Sequence, residues 1–257
     1  NYRDNIIDIT TIHRSIDELS SRLQKTIYKL QKHNQNLNSV IKSLSHDIKT
    51  PLSIMQGYLE ELEDGLVDKS DLPKVIEILK KEIYYIDEIS SDVICYIQSQ
   101  DFFEKKETLH LKSFLHDEVC PLIKVEKEVK FKCEIPETLV IEFSTIALKK
   151  ILINLLHNAT KFTKVGMISV KADENRIMVE DTGLGIEINS AETIFNPFVS
   201  LDESRNRKKS GGFGLGLSIA RNLAQSNGYE LFLDTEYHDG ARFILSLHST
   251  GMVVSKA

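Results

Sequence analysis

The sequence is poor in cysteine, in long apolar runs and in net charge, and each shortage removes a class of function. Its three cysteines, Cys95, Cys120 and Cys133, are odd in number and widely spaced, so neither a disulfide framework nor a zinc cluster is indicated. Free cysteines are most often buried, and we expect all three to be buried structural thiols in a protein from a reducing compartment.

No apolar run approaches the roughly 18 residues that a membrane-spanning helix requires. The first residues also lack the basic region and apolar stretch of a signal peptide. The chain begins with Asn1 instead of Met, so we expect a soluble piece cut from a longer protein.

The charge balance of 32 basic and 38 acidic residues, a net charge of -6, provides no general field for capturing nucleic acid. Local basic patches can still bind phosphates. At 257 residues and 41% hydrophobic content, the chain can form one large or two modest globular domains.

Apolar residues recur every seven positions in the first part of the chain, as in a coiled coil. They are Ile9, Ile16, Leu23, Leu30, Leu37 and Leu44, with Ile12, Leu19 and Val40 three residues further on. Polar Thr26 and His33 interrupt the second position, so the seam drifts as in helices that loosen into a bundle. A long helix that forms no coiled coil is the alternative.

A second amphipathic stripe follows at helical spacing. It comprises Leu72, Ile76, Leu79, Ile83, Ile86, Val93 and Ile97. The polar stretch from Gly65 to Asp71 is typical of a turn, so the two stripes predict an antiparallel hairpin. One hairpin cannot cover its own apolar faces, and we therefore expect a symmetric dimer that forms a four-helix bundle.

After residue 105 the pattern changes to short strands with intervening helices. Strands are predicted at Val129–Glu134, Leu139–Phe143, Met167–Ala172, Arg176–Asp181, Glu230–Asp234 and Arg242–Leu247, and helices near Ser113–Lys124, Thr145–Phe162 and Phe213–Asn227. This mixture predicts an α+β fold with a sheet on one side and helices on the other. The polar, glycine-bounded stretch from Leu184 to Gly212 predicts a mobile loop over a site.

The segment from Ser45 to Leu52 carries the first chemical signal. His46 lies two positions after the seam residue Leu44, about 200° around the helix, and so projects outward. A neutral imidazole is a competent nucleophile, and the Asp47 carboxylate can accept the other ring proton and fix the tautomer. Thr50 lies one turn away, where its hydroxyl could orient a water against a phosphorylated ring.

These residues resemble the phosphoacceptor box of sensor histidine kinases, H-(D/E)-x-x-T-P. The other boxes of that family follow in the expected order: an asparagine box at 154–163, glycine boxes at 181–186 and 212–217, and between them a phenylalanine box at 195–198. The resemblance covers residues 39 to 248. It implies a dimerisation and phosphotransfer hairpin followed by an α/β-sandwich ATP-binding domain of the Bergerat or GHKL type, shared with gyrase, Hsp90 and MutL.

Four segments are thereby predicted: a coiled-coil signalling helix at 1–38, the hairpin at 39–104, the catalytic domain at 105–250 and a tail at 251–257.

Spacings of four and three place Asn154, Asn158 and Lys161 on one helix face, where they can converge on one ligand. An amide oxygen suits Mg²⁺, so Asn158 is the expected metal ligand, and Lys161 supplies charge for a triphosphate. The resemblance implies that Asn154 lies near the phosphates or the metal. The alternative is that both asparagines only cap helices or form hydrogen bonds within the fold.

Asp181 closes a predicted strand and is followed by glycines that allow backbone to approach a flat ligand. The resemblance implies that its carboxylate accepts a hydrogen bond from the adenine amino group. The second glycine box opens a helix whose free N–H groups suit phosphate oxygens. The implied ATP contacts are Asn154, Asn158, Lys161, Asp181, Gly183, Gly185, Ile186, Phe198, Gly212, Gly214, Leu215, Gly216 and Leu217.

Two further features lie in the loop between the glycine boxes. Phe195 and Phe198 are expected to anchor the loop to the hairpin rather than touch ATP. Four basic residues either help to hold the triphosphate or form a solvated charge run: Arg205, Arg207, Lys208 and Lys209.

The resemblance implies a homodimer that transfers the γ-phosphate of ATP to His46 with Mg²⁺, and then to an aspartate of a response-regulator receiver domain. Asp47 would act as the orienting acid or base, and Thr50 implies a phosphatase activity. The chain is expected to be the cytoplasmic portion of a bacterial membrane protein without a nucleic-acid partner. Two rivals are a nucleotide-binding scaffold and an ATPase of the same nucleotide fold, neither of which needs an exposed His beside an acid.

Overall fold

The structure is a computed structural model, and it describes residues 2–100, 102, 104–199 and 213–247. The chain divides into two compact units, Asn1–Leu79 and Lys80–Ala257. The boundary falls within the second helix of the hairpin. Each unit is described by itself.

The first unit is dominated by one uninterrupted helix, α1, from Tyr2 to Glu63. Its 62 residues span about 93 Å. Gly65 follows it with φ 68°, a left-handed conformation that suits glycine and turns the chain. The second helix, α2, runs over Leu72–Gln100, so the predicted hairpin elements and the turn between them are confirmed.

Both helices of the hairpin keep large apolar side chains exposed in the single chain. On α1 they include Ile16, Leu19, Leu23, Ile27, Ile41, Leu52 and Leu59, and on α2 Leu72, Ile76, Ile83, Ile94 and Ile97. In α1, Ile41, Leu44, Ile48 and Leu52 line a shallow apolar groove. No helix in the described part of the chain is long and apolar enough to cross a membrane.

The described residues of the second unit form seven strands in two sheets. They are β1 Glu107–His110, β2 Val129–Glu134, β3 Val140–Phe143, β4 Gly166–Ala172, β5 Arg176–Asp181, β6 Glu230–Leu233 and β7 Arg242–Ser246. Strands β1 and β3 form an antiparallel pair. The other five form a mixed sheet in the order β2-β4-β5-β7-β6, in which only β2 and β4 are parallel. The six predicted strands are present to within one residue at each end, and β1 was not predicted.

Besides most of α2, the described helices of this unit are α3 (Leu111–Phe114), α4 (Thr145–Phe162) and α5 (Gly216–Ser226). The α4 helix begins at Ser144, whose hydroxyl accepts a hydrogen bond from the Ala147 N–H at 3.2 Å and caps the helix. Along one face α4 buries Leu148, Ile151, Leu152, Leu155 and Leu156. It contacts α5 and β5, and α5 contacts β6, which confirms the predicted α+β layering.

Two predicted helices begin or end elsewhere. The predicted helix from Ser113 to Lys124 is wrong as one α-helix, because α3 ends at Phe114 and continues as a π turn and a 3-10 turn. Pro121 has no N–H for an α-helical ladder. The last helix begins at Gly216 instead of Phe213, because Gly214 has φ 71°.

The prediction that all three cysteines are buried is wrong. Cys133 is exposed, and Cys95 and Cys120 are half-buried. Cys133 lies near the end of β2, an edge strand of the sheet, where one side of the strand has no neighbour. Partial burial raises the pKa of the Cys120 thiol, so it is not an activated thiolate.

The predicted loop from Leu184 to Gly212 is described only as far as Val199. Within that part it contains two short 3-10 turns, Ile188–Ser190 and Thr193–Phe195. The rest of the loop, with its four basic residues and Gly212, lies outside the described residues.

Candidate functional site

His46 projects from α1 with its side chain 81% exposed, as its position relative to the seam predicts. Its Nδ1 lies 3.2 Å from Oδ1 of Asp47, whose side chain is only 8% exposed. The carboxylate favours the tautomer with the proton on Nδ1, which leaves the lone pair on Nε2. The arrangement can therefore present a nucleophilic nitrogen to solvent.

Thr50 lies one helical turn after His46 on the same exposed stretch of α1. Its hydroxyl donates to the His46 carbonyl oxygen at 3.4 Å. The hydroxyl oxygen keeps its lone pairs, so it can still accept a hydrogen bond from a water near the imidazole.

The polar face of α4 carries Asn154, Asn158 and Lys161 on successive turns, and all three are half-buried. Asn154 points at the first turn of α5, because a Cβ added to Gly216 would lie 3.0 Å from its Oδ1. The Lys161 ammonium lies 4.8 Å from the centre of the Phe162 ring. Amide oxygens and a cation are thus available between the end of α4 and the beginning of α5.

Asp181 ends β5 and is 5% exposed. Its Oδ1 accepts hydrogen bonds from the backbone N–H groups of Gly183 at 2.8 Å and Ala241 at 3.4 Å. Burial raises the pKa of this carboxyl, while the two N–H groups and the nearby Thr163 hydroxyl oppose the rise. Both backbone donors use the same oxygen, Oδ1.

The backbone around Asp181 is packed too closely for side chains at two glycines. A Cβ on Gly183 would lie 2.5 Å from the Phe162 carbonyl oxygen at the end of α4. Gly185 has φ 70° and lies against the carbonyl of Gly240. These approaches hold the end of α4 and the β6–β7 loop beside the carboxylate.

A backbone hydrogen bond joins the two described ends of the loop between the glycine boxes. The Phe198 N–H donates to the Gly214 carbonyl oxygen at 3.0 Å. Both residues are left-handed, with φ 63° and 71°, and Phe198 is the one described residue other than glycine with positive φ. A residue held in this region carries strain and depends on its surroundings to stay there.

Phe195 packs against β7 and α5, and its anchoring to the hairpin stays a prediction. Its ring meets Phe243 of β7 edge-on at 6.2 Å and lies 4.6 Å below the Arg221 guanidinium. Arg221 also binds Glu192 at 3.0 Å. The ring is drawn inward because α5 and the sheet together bury it.

Two family models match the chain. One is described as "His Kinase A (phospho-acceptor) domain" and matches residues 36–96, and the other as "Histidine kinase-, DNA gyrase B-, and HSP90-like ATPase" and matches residues 144–251. Histidine protein kinase SaeS of Staphylococcus aureus strain MW2 is 30% identical in an alignment that covers 94% of this chain and 72% of SaeS. The chain belongs to the histidine protein kinase family.

Solved histidine kinases share the fold. AdeS of Acinetobacter baumannii superposes with a TM-score of 0.58 at 16% identity, covering 80% of this chain and 98% of AdeS. Full-length ShkA, solved in complex with AMPPNP, gives a TM-score of 0.54 at 22% identity, covering 84% of this chain and 47% of ShkA. At these identities the likeness shows the fold alone.

Membership of the family confirms the predicted activity and fold. The chain is an ATP-dependent protein histidine kinase of two-component signalling, with a helical phosphoacceptor region followed by an α/β ATP-binding domain. The roles of individual residues and the predicted segment boundaries stay predictions.

The kinase fold brings many of the predicted nucleotide-site residues close together. Asn154 faces Gly216, and Gly183 and Gly185 surround Asp181. Of the other predicted residues, Ile186 and Leu217 are half-buried and Leu215 is buried. Thr163, the last residue of the asparagine box, was not among the predicted site residues, because its burial beside Asp181 depends on tertiary packing.

Proposed function

We propose that His46 is the phosphoacceptor and receives the γ-phosphoryl group of ATP. The observation that carries the proposal is the exposed imidazole, whose Nδ1 faces the buried Asp47 carboxylate and whose Nε2 is available for attack. The Nε2 lone pair forms a bond to the γ-phosphorus while the bond to the bridging oxygen breaks and ADP leaves. Asp47 keeps the Nδ1 proton and stabilises the positive charge that develops on the ring.

The ATP-binding domain is proposed to hold the nucleotide at three points. Asp181 accepts from the adenine amino group, a contact that guanine, with a carbonyl there, cannot make. Free N–H groups in the first turn of α5, at Gly216 and Leu217, receive phosphate oxygens. Lys161 adds positive charge near them.

Mg²⁺ would fit the donor set, because amide oxygens are among the hard oxygen ligands that it accepts. Asn158 is the proposed ligand, with Asn154 as a second candidate facing the start of α5. The bound ion would neutralise charge on the phosphates. The protein's own contribution is to fix the two side chains on one face of α4.

We propose that Gly212, Phe198 and Gly214 border the nucleotide site. We also propose that the protein is a homodimer. The exposed apolar side chains of α1 and α2 support it, because one hairpin leaves them in water. The phosphohistidine then passes its phosphoryl group to an aspartate of a response-regulator receiver domain. Thr50 would orient the water that later dephosphorylates the regulator.

In the full-length protein we propose attachment to the membrane of a bacterial cell, with this part on the cytoplasmic side. The support is the resemblance to sensor kinases. No nucleic-acid partner is proposed, in keeping with the net charge of -6. Fractionation of cells that express the full-length protein tests the location.

The phosphoacceptor is tested by incubating the protein with γ-labelled ATP and measuring label that is stable in alkali and lost in acid. His46→Gln should abolish it. His116→Gln is a matched control, because His116 is also exposed, 84%, with its Nδ1 2.8 Å from the following Asp117. Label that survives in His46→Gln would refute the proposal, and ATP binding without any label would favour the scaffold.

A further inference from the structure

One side of α2 carries residues that contact the ATP-binding domain. Tyr85, Cys95 and Ser99 fall within about 80° around the helix axis, since each residue turns an α-helix by about 100°. All three belong to the same compact unit as that domain. Between the outer two, the Lys150 ammonium of α4 lies 3.9 Å from the Cys95 sulfur. The stretch from Tyr85 to Ser99, about 21 Å long, therefore faces the domain.

The first contact lies just before α5. The centres of the Tyr85 and Phe213 rings are 5.1 Å apart, and the rings are inclined by 56°. A tilted pair at this distance is a favourable aromatic contact. Phe213 is 8% exposed and directly precedes Gly214, whose left-handed backbone leads into α5. Tyr85 thus holds the segment from which α5 begins.

The second contact lies near the other end of both helices. The Asn222 side-chain amide donates to the Ser99 hydroxyl at 3.1 Å. The Ser226 hydroxyl, which donates to the Asn222 carbonyl oxygen at 2.9 Å, also lies 3.4 Å from the Ser99 carbonyl oxygen. That carbonyl is among the last four of α2, which have no hydrogen-bond partner within the helix. Because Ser99 is 1% exposed, α5 supplies the contacts that water cannot.

The two contacts show that α2 and α5 lie side by side and run in the same direction. The earlier residue, Tyr85, meets the beginning of α5, and the later residue, Ser99, meets its last turns. The lengths agree, because α5 has 11 residues and is about 16 Å long, and Phe213 lies shortly before it. α2 therefore holds α5 at both ends.

The first turn of α5 is the proposed phosphate site. Its free N–H groups point along the helix axis, so they reach phosphate oxygens only when the axis is correctly directed. A tilt of α5 would displace these donors. It would leave Asp181 in place, because that residue ends β5 in the sheet. The contacts with α2 can thus affect phosphate binding separately from binding of the base.

We propose that Tyr85 and Ser99 are positioning residues, through which α2 fixes the phosphate-binding turn of α5 and sets the affinity for the nucleotide phosphates. The inference rests on the proposed function of that turn. A movement of α2 that breaks either contact lowers the affinity for ATP. Because such coupling is reciprocal, bound ATP favours the arrangement in which α2 contacts α5.

The experiment compares the binding of ATP and of adenosine to the whole chain by titration calorimetry. Adenosine retains the base and lacks the phosphates, so it reports whether the base site is intact. Tyr85→Ala should weaken ATP binding about three- to tenfold and leave adenosine binding unchanged. Tyr85→Phe keeps the ring and should bind both ligands as wild type does. Tyr84→Ala is the matched control, because Tyr84 is 72% exposed.

Ser99→Ala tests the second contact. It removes the acceptor of the Asn222 amide and should weaken ATP binding about two- to fivefold, again without a change for adenosine. Ser91→Ala is its control, because Ser91 is exposed on the same helix. Unchanged ATP affinity in either variant would overturn the positioning role of that residue. An equal loss for ATP and adenosine would also overturn it, since the contact would then only hold the domain together.

Failure of the proposed function gives a different pattern. A wild type that binds adenosine as tightly as ATP would refute the phosphate-binding turn, and this inference with it. A wild type that prefers ATP, with the preference intact in Tyr85→Ala and Ser99→Ala, would overturn this inference alone. If His46 took no label while both variants lost the preference, the phosphoacceptor would be refuted and the positioning roles would stand.

Discussion

Replacing Asp181 by asparagine tests how the nucleotide base is recognised. The Oδ1 atom accepts two backbone N–H bonds, from Gly183 and Ala241, and an asparagine can keep both only with its carbonyl oxygen at that position. The amide nitrogen then takes the place of Oδ2. A donor of the protein would face the amino group of adenine, which is also a donor.

The cost can be estimated from that geometry. The substitution removes a hydrogen bond to a charged acceptor, worth about 1.5–3 kcal/mol, and opposes two donors in a buried place. We expect a total loss of about 2–4 kcal/mol, which weakens ATP binding roughly 30- to 1000-fold. Binding of GTP should weaken much less, because the new donor suits the guanine carbonyl.

Stability should change in the opposite direction. Burial raises the pKa of Asp181, so the ionised carboxylate is disfavoured in the folded chain relative to the unfolded chain. Wild type therefore loses stability relative to Asp181→Asn as the pH rises through the range in which this carboxyl ionises. At neutral pH the nucleotide-free variant should be at least as stable as wild type.

Calorimetric titration with ATP and GTP, together with thermal unfolding without nucleotide, tests both expectations. Asp117→Asn is the control, because it makes the same chemical change at a side chain that is 67% exposed. ATP affinity within threefold of wild type would refute the assigned contact. A large loss of stability at neutral pH would refute the electrostatic reasoning.

Two further changes test the scaffold of the domain by thermal unfolding. Burial alone would raise the pKa of Glu180, but Lys171, Ser169 and Arg242 together hold the pKa below its usual value. Glu180→Gln should therefore lower the free energy of unfolding by about 1–3 kcal/mol at neutral pH. The lower end of this range is expected, because Lys171 and Arg242 are partly exposed. The stabilisation is lost as the carboxylate protonates, so the difference in stability between wild type and Glu180→Gln should shrink below about pH 4. An unchanged difference at that pH would contradict the ion-pair reasoning. Ser144→Ala removes the buried N-cap of α4 and should cost about 0.5–2 kcal/mol, whereas no change would show that the cap is dispensable.

The sequence predicted most strands because their alternating side chains report a half-buried sheet directly. It did not predict β1, since Glu107–His110 is short and mostly polar and gains its order from pairing with β3. It also began the last helix too early, because the positive φ of Gly214 comes from its backbone bond to Phe198.

In the site too, local features could be predicted from the sequence and tertiary contacts could not. Spacing along one helix was sufficient to place Asn154, Asn158 and Lys161 on one face, because that relation is local. The burial of Thr163 beside Asp181 could not be predicted, since it depends on elements far apart in the sequence. The packing of Phe195 against Phe243 depends on tertiary contacts for the same reason.

The helical geometry of α1 explains why a pattern of apolar residues could predict the exposure of a catalytic group. Counting from Leu44 on the seam, His46 lies about 200° around the helix and Asp47 about 300°, so the acid returns toward the seam while the imidazole points away. The exposures follow this order, with 81% for the His46 side chain and 8% for that of Asp47. Because α1 is continuous from Tyr2 to Glu63, a shift of the seam by one residue would change which of the two faces solvent. The register of the apolar seam and the presentation of the nucleophile are therefore one structural property.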